Sequence, residues 1–168
     1  MTGSLPARLV RANTFALAVA LAPASLAIAA DPPVIYDFPE GIACKFALHI
    51  ESVGGNTVKK EFVDKDGHLV RTISAGRGAK LTFTNPSSGT VLTLRANGSV
   101  QNVSLNQDGT FTNVVTGHNV LIFWPTDFPA GPTTTLYAGR VVYLSDSAST
   151  FTLLGTSGKS TDICALLA

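Results

Sequence analysis

Cys44-Lys-Phe-Ala-Leu-His-Ile-Glu51 alternates apolar and polar side chains along its whole length. Cys44, Phe46, Leu48 and Ile50 fall on one face and Lys45, His49 and Glu51 on the other, the two-residue period of a half-buried β-strand. Working outward, the chain after Pro32-Pro33 repeats this style. Gly54-Gly55-Asn56 turns into Thr57–Val63, and Asp64-Lys-Asp-Gly67 turns again into His68–Ala75. Lys80–Asn85, Thr90–Ala96 and Ser99–Leu105 follow, punctuated by Pro86-Ser-Ser-Gly89 and Asn97-Gly98. Beyond Asn106-Gln-Asp-Gly109 come Thr110–Thr116 and His118–Phe123, parted by Gly117, then Thr133–Leu144 and Thr150–Leu154. Short β-branched runs between Gly-rich turns predict an all-β domain of about 8–10 strands, an antiparallel β-sandwich with a β-barrel as the alternative. The segment Ser160-Thr-Asp-Ile-Cys-Ala-Leu-Leu167 is the one place for a short helix, with Ser or Thr as its cap.

The first thirty residues read differently. Arg8 and Arg11 precede an apolar run from Phe15 to Leu26, and Ala27-Ile28-Ala29 completes the pattern of a cleavable export signal, cut after Ala29. Pro23 interrupts the run, which falls short of the roughly 20 residues of a membrane span. Residues 1–29 are therefore expected to be a signal peptide and 30–168 a single secreted, extracellular all-β domain. No cysteine lies near the cleavage region to carry a lipid, and no stretch of the mature chain fits a bilayer, so no membrane insertion of the mature chain is expected.

The chain has 168 residues, 45% of them hydrophobic, enough for one domain with a core. Only 14% are charged, against roughly 25% in an average soluble domain. The formal charge is +1, and losing Arg8 and Arg11 with the signal leaves ten cations against 11 acids. That balance supplies no basic footprint for nucleic acid. Two cysteines in an exported chain imply one disulfide, Cys44–Cys164. Closing a loop of about 120 residues, it contributes on the order of 4–5 kcal/mol through unfolded-chain entropy.

Chemical signatures are sparse. His49-Ile50-Glu51 matches the H-x-E fragment of zinc deaminases, but their P-C-x-x-C partner is missing, which leaves a solvent-facing strand pair. His118, after Gly117, reads as a hydrogen-bonded turn residue. Asp64-Lys65-Asp66-Gly67 fails as a calcium loop because the EF-hand register puts Phe62 and Ile73 at ligand positions. Gly155-Thr-Ser-Gly158 has the wrong spacing for a nucleophile elbow, and Gly76-Arg77-Gly78 lacks the third glycine of a dinucleotide fingerprint. No catalytic residue, metal ligand or cofactor is assigned. A paired-carboxylate hydrolase acting on polysaccharide has no motif to exclude it and is the alternative to a non-enzymatic binding or interaction module.

One segment stands apart. Phe123-Trp-Pro-Thr-Asp-Phe-Pro-Ala-Gly-Pro132 contains the only Trp, two Phe, three Pro and Asp127. A stiff aromatic loop can bind a glycan or protein partner through Trp124, Asp127 and Phe128, or it can plug one end of the sandwich. The apolar run Val120-Leu-Ile-Phe123 favours a strand buried on both faces, so the expectation is a plug with Trp124 covered.

Gly117-His-Asn-Val-Leu, Asp127-Phe-Pro-Ala-Gly-Pro, Leu136-Tyr-Ala-Gly-Arg-Val and Thr161-Asp-Ile-Cys-Ala-Leu-Leu span about the last third of the chain. This pattern resembles a family of small secreted proteins common in actinobacteria that has no assigned activity. The resemblance implies secretion and an all-β fold, and transfers no site residue.

Overall fold

The Cys44–Glu51 segment lines the core, but only its second half is strand: the chain is bent through Cys44–Phe46 and extended pairing begins at Leu48. In the computed structural model, which describes residues 32–96 and 99–168, Cys44, Leu48 and Ile50 are buried and Phe46 packs against them. The expected signal peptide and the Asn97-Gly98 turn lie outside the described residues.

Ten strands form two antiparallel sheets packed together. The four-stranded sheet runs β1 (Val34–Phe38), β2 (Leu48–Val53), β5 (Lys80–Thr84), β6 (Val91–Arg95). The six-stranded sheet runs β10 (Phe151–Asp162), β9 (Thr133–Ser145), β8 (Phe111–Phe123), β7 (Val100–Leu105), β4 (Leu69–Arg77), β3 (Asn56–Val63). Both sheets keep free edges, so the architecture is a sandwich and not the alternative barrel.

Register places the apolar residues. Ile50 lies opposite Phe83, and Phe83 opposite Leu92. This inward face meets Val120, Ile122 and Leu136 of β8 and β9. A one-turn helix, α1 (Ile163–Leu167), closes the end of the core with Ile163 and Leu167 fully buried. Its cap is Asp162 rather than the expected Ser or Thr: the Asp162 carboxylate accepts a hydrogen bond from the Ala165 amide at 3.0 Å. Cys44 and Cys164 are disulfide-bonded with Cα atoms 5.6 Å apart, tying α1 to the segment before β2.

Glycine shapes the other half. Gly117, Gly139 and Gly158 stand side by side on β8, β9 and β10, all with positive φ. A Cβ on Gly139 would come within 2.0 Å of the Ser157 carbonyl oxygen, and one on Gly158 within 2.2 Å of that of Ala138. Across this row the three strands fold back on themselves. Phe128, just beyond the end of β8, bridges Thr152, whose neighbours in register are Leu144 and then Thr112 near the start of β8. The loop that follows β8 has thus returned to the level of the strand's beginning, although a straight 13-residue strand would span about 40 Å. Gly117 does not break the chain into two strands; it bends one. His118 accordingly sits mid-strand opposite Ala138, not in a turn. A second, smaller core fills the inside of the bend: Val115, Val141 and Tyr143, with Leu121, Tyr137, Phe151 and Leu153 against them.

Candidate functional site

The mouth of this bend is where the aromatic loop sits. β8 ends in Phe123, only 1% exposed, and strand alternation turns the next side chain outward. Trp124 is 42% exposed and Phe128 69% exposed. The expected plug is corrected: Phe123 fills that role, while Trp124 stands at the surface. The apolar run that suggested double-sided burial contains only one fully covered residue, because Val120, Leu121 and Ile122 are each half-buried.

Exposure here does not mean looseness. Asp127 is 5% exposed and both of its carboxylate oxygens accept backbone hydrogen bonds, Oδ2 from the Trp124 amide at 2.6 Å and Oδ1 from the Phe151 amide at 2.8 Å. Asp127 therefore acts as an internal strut instead of facing a ligand. The Phe128 amide donates to the Phe151 carbonyl at 2.8 Å, and the Leu153 amide donates to the Phe128 carbonyl at 2.7 Å. The Asp127 and Gly131 amides both donate to the Trp124 carbonyl. Gly131 has no room for a side chain, since a Cβ would lie 1.8 Å from the Phe123 carbonyl oxygen. Charged acceptors with backbone donors are among the stronger protein hydrogen bonds, so the loop is fixed by polar contacts while its rings stay outside.

Beside Trp124 lies a cleft of about 280 Å³, lined by Val120, Leu121, Ile122, Trp124, Tyr143, Ser149 and Phe151. Tyr143 and Phe151 pack with ring centroids 5.1 Å apart. Burial pushes the Tyr143 phenol above its ordinary pKa, which keeps it protonated and neutral. No lining residue carries a charge. Ser149 holds a positive φ of 62°, a conformation easier for glycine, at the rim of the cleft. The sequence signal missed here is the bend: Tyr143 and Phe151 join Trp124 only because the glycine row brings the two ends of the sheet together.

A second polar group stands on the outward face of the four-stranded sheet. His49 Nδ1 meets Asp37 Oδ1 at 2.6 Å and Nε2 meets Glu51 Oε1 at 3.4 Å. The Asp37 hydrogen bond raises the His49 pKa above its ordinary value. His49 and Glu51 do share the solvent-facing side, and Asp37, brought opposite by β1, completes the group. Asp64 occupies a tight turn, its Oδ1 accepting from the Asp66 and His68 amides. Among the described residues no group of three or more His, Cys, Asp or Glu is arranged to hold a metal ion, and no helix is long and apolar enough to cross a membrane.

No family model, curated protein or solved structure matches the chain.

Proposed function

We propose that the protein is a secreted, non-enzymatic binding module whose contact surface is the Trp124–Pro132 loop and the adjoining cleft. The observation that carries this reading is the combination of exposed rings with a rigid backbone. Trp124 and Phe128 face solvent, yet the loop beneath them is held by a buried carboxylate and by strand-like bonds to β10. A surface already in its bound shape loses little entropy on association, and exposed Trp is the residue type most enriched at binding hot spots. The uncharged lining favours the face of a sugar ring or an apolar side chain of an extracellular protein over any ionic ligand. The Cys44–Cys164 bond, the export signal and the resemblance to small secreted proteins support a location outside the cytoplasm.

The test pairs binding with stability. The purified protein and the double variant Trp124→Ala/Phe128→Ala are presented to a glycan array and to proteins extracted from cell envelopes. Retention of the wild type and loss in the variant, at an unchanged melting temperature, is the expected result. Equal retention of both proteins, or retention of neither on either surface, contradicts the proposal. Intact mass of the protein from culture medium should correspond to a chain starting at Ala30; a secreted form keeping Met1–Ala29 contradicts cleavage.

A further inference from the structure

Sheets end in edges, and the described residues have four: β1 and β6 on one sheet, β10 and β3 on the other. An edge strand offers unpaired N–H and C=O groups to any other chain, and stable monomers guard it with charges, bulges, prolines or a cover. Three of the four edges carry such guards. β3 has Lys59, Lys60 and Glu61 in its centre, Lys59 and Glu61 paired at 2.6 Å. β10 is covered at Thr152 by the Phe128 bridge, has a register shift between Leu153 and Gly155, and carries Lys159 beyond it. β6 ends in Arg95 and has α1 packed beside it.

Among the described residues β1 has no bulge, proline or cover. Val34-Ile-Tyr-Asp-Phe38 contains no Lys, Arg, Gly or Pro, and its single charge, Asp37, is engaged by His49. Val34, Ile35 and Tyr36 are all about half exposed. Two of them point the wrong way for a finished surface. Tyr36 pairs with the buried Ile50 and Val34 with Ser52, so both belong to the inward face of the sheet, yet the core stops short of them. Whatever covers this edge must bring its own apolar inward side chains.

We propose that β1 pairs with β1 of a second copy of this chain, joining two four-stranded sheets into one of eight strands. The strand is complementary to itself. Antiparallel pairing about a two-fold axis at Tyr36 sets Val34 opposite Phe38 and Tyr36 opposite Tyr36, which extends the inward apolar face. Ile35 then lies opposite Asp37 on the outward face, and no two like charges are directly opposed. Pro32 and Pro33 lack N–H groups and stop the ladder at Val34, so this register alone uses all five residues on both strands. With ten cations against 11 acids after loss of the signal, the chain's formal charge of −1 gives little repulsion between copies. Five residue pairs bury less than the roughly 1,200 Å² of a standard stable interface, so the dimer is weak and concentration-dependent.

Sedimentation of the purified protein over a concentration series tests this. The expected result is a monomer that becomes a dimer as concentration rises, with Ile35→Lys remaining monomeric at an unchanged melting temperature. Val91→Lys, which adds the same charge to the opposite edge of the same sheet, keeps the dimer. Tyr36→Cys should oxidise to a covalent dimer in which peptide mapping joins the introduced thiol to its counterpart and leaves Cys44–Cys164 intact. A wild type that stays monomeric throughout, or a dimer that survives Ile35→Lys, overturns the proposal; the first result leaves the edge to an extended segment of a different protein.

Discussion

The Cys44–Cys164 end of the molecule and the Trp124–Pro132 loop are both pinned, by opposite means. At the disulfide end Cys44, Ile163 and Leu167 are fully buried, and the Thr134 hydroxyl donates to the Ala43 carbonyl at 2.9 Å in the same dry interior. In the loop one buried carboxylate and a few backbone bonds fix the chain, and the aromatic side chains keep a large exposed area, 42% for Trp124 and 69% for Phe128. Apolar burial stabilises the first region and consumes its side chains in doing so. Polar anchoring of the second leaves its rings available. A molecule can thus hold a recognition surface still without including it in the core.

If that contrast is right, the two regions answer differently to mutation. Replacing both cysteines by alanine should have the largest effect, a loss of about 4–5 kcal/mol in urea unfolding, since the bond closes a 120-residue separation. A loss below about 1 kcal/mol would mean that α1 is held by packing alone. Phe83→Ala, at a fully buried site facing Ile50 and Leu92, should lose about 3–5 kcal/mol, whereas Val58→Ala on the exposed edge strand should stay within about 0.5 kcal/mol. Comparable losses at both positions would erase the distinction between core and edge.

Asp127→Ala acts on the loop. It strips partners from the Trp124 and Phe151 amides, for an expected loss of about 1–3 kcal/mol, and it should raise hydrogen exchange in the loop before the rest of the protein. Unchanged exchange at Trp124 and Phe151 would show that the loop has another anchor.

The pH effect is smaller because His49 lies on the open sheet face. Its pKa is raised in the folded state above the ordinary 6.5, chiefly by the Asp37 hydrogen bond. The contribution is therefore fully present below about pH 6.5 and is lost as pH rises through the folded-state value. Wild type should lose melting temperature over that interval relative to His49→Gln; parallel curves would show that the Asp37 contact has no energetic weight.

Local patterning made much of the fold legible. The inward alternation of Leu48 and Ile50, the hairpin turns and the pairing of the two cysteines all express short-range or compositional rules, whereas Cys44–Phe46 alternate in sequence but are bent out of the strand. The rest depended on pairing over distance. β1 is only five residues long behind two prolines and becomes a strand because β2 offers an edge. Gly155-Thr-Ser-Gly158 has loop composition, but its residues pair with Val142–Gly139 and continue β10. Trp124 was misplaced because four successive apolar residues look doubly buried in one dimension, while the bend at Gly117 and Gly139 decides which of them is covered. Asp127 looked like a ligand contact and is a strut, a role set by Phe151 lying 24 residues away.

Unfolding of Trp124→Ala, followed by far-UV circular dichroism in urea, asks most directly whether the loop stands without its tryptophan. The expected midpoint and slope are indistinguishable from wild type, a change below about 0.5–1 kcal/mol. A loss of about 3–5 kcal/mol, the signature of a buried indole removed from a core, would contradict this expectation.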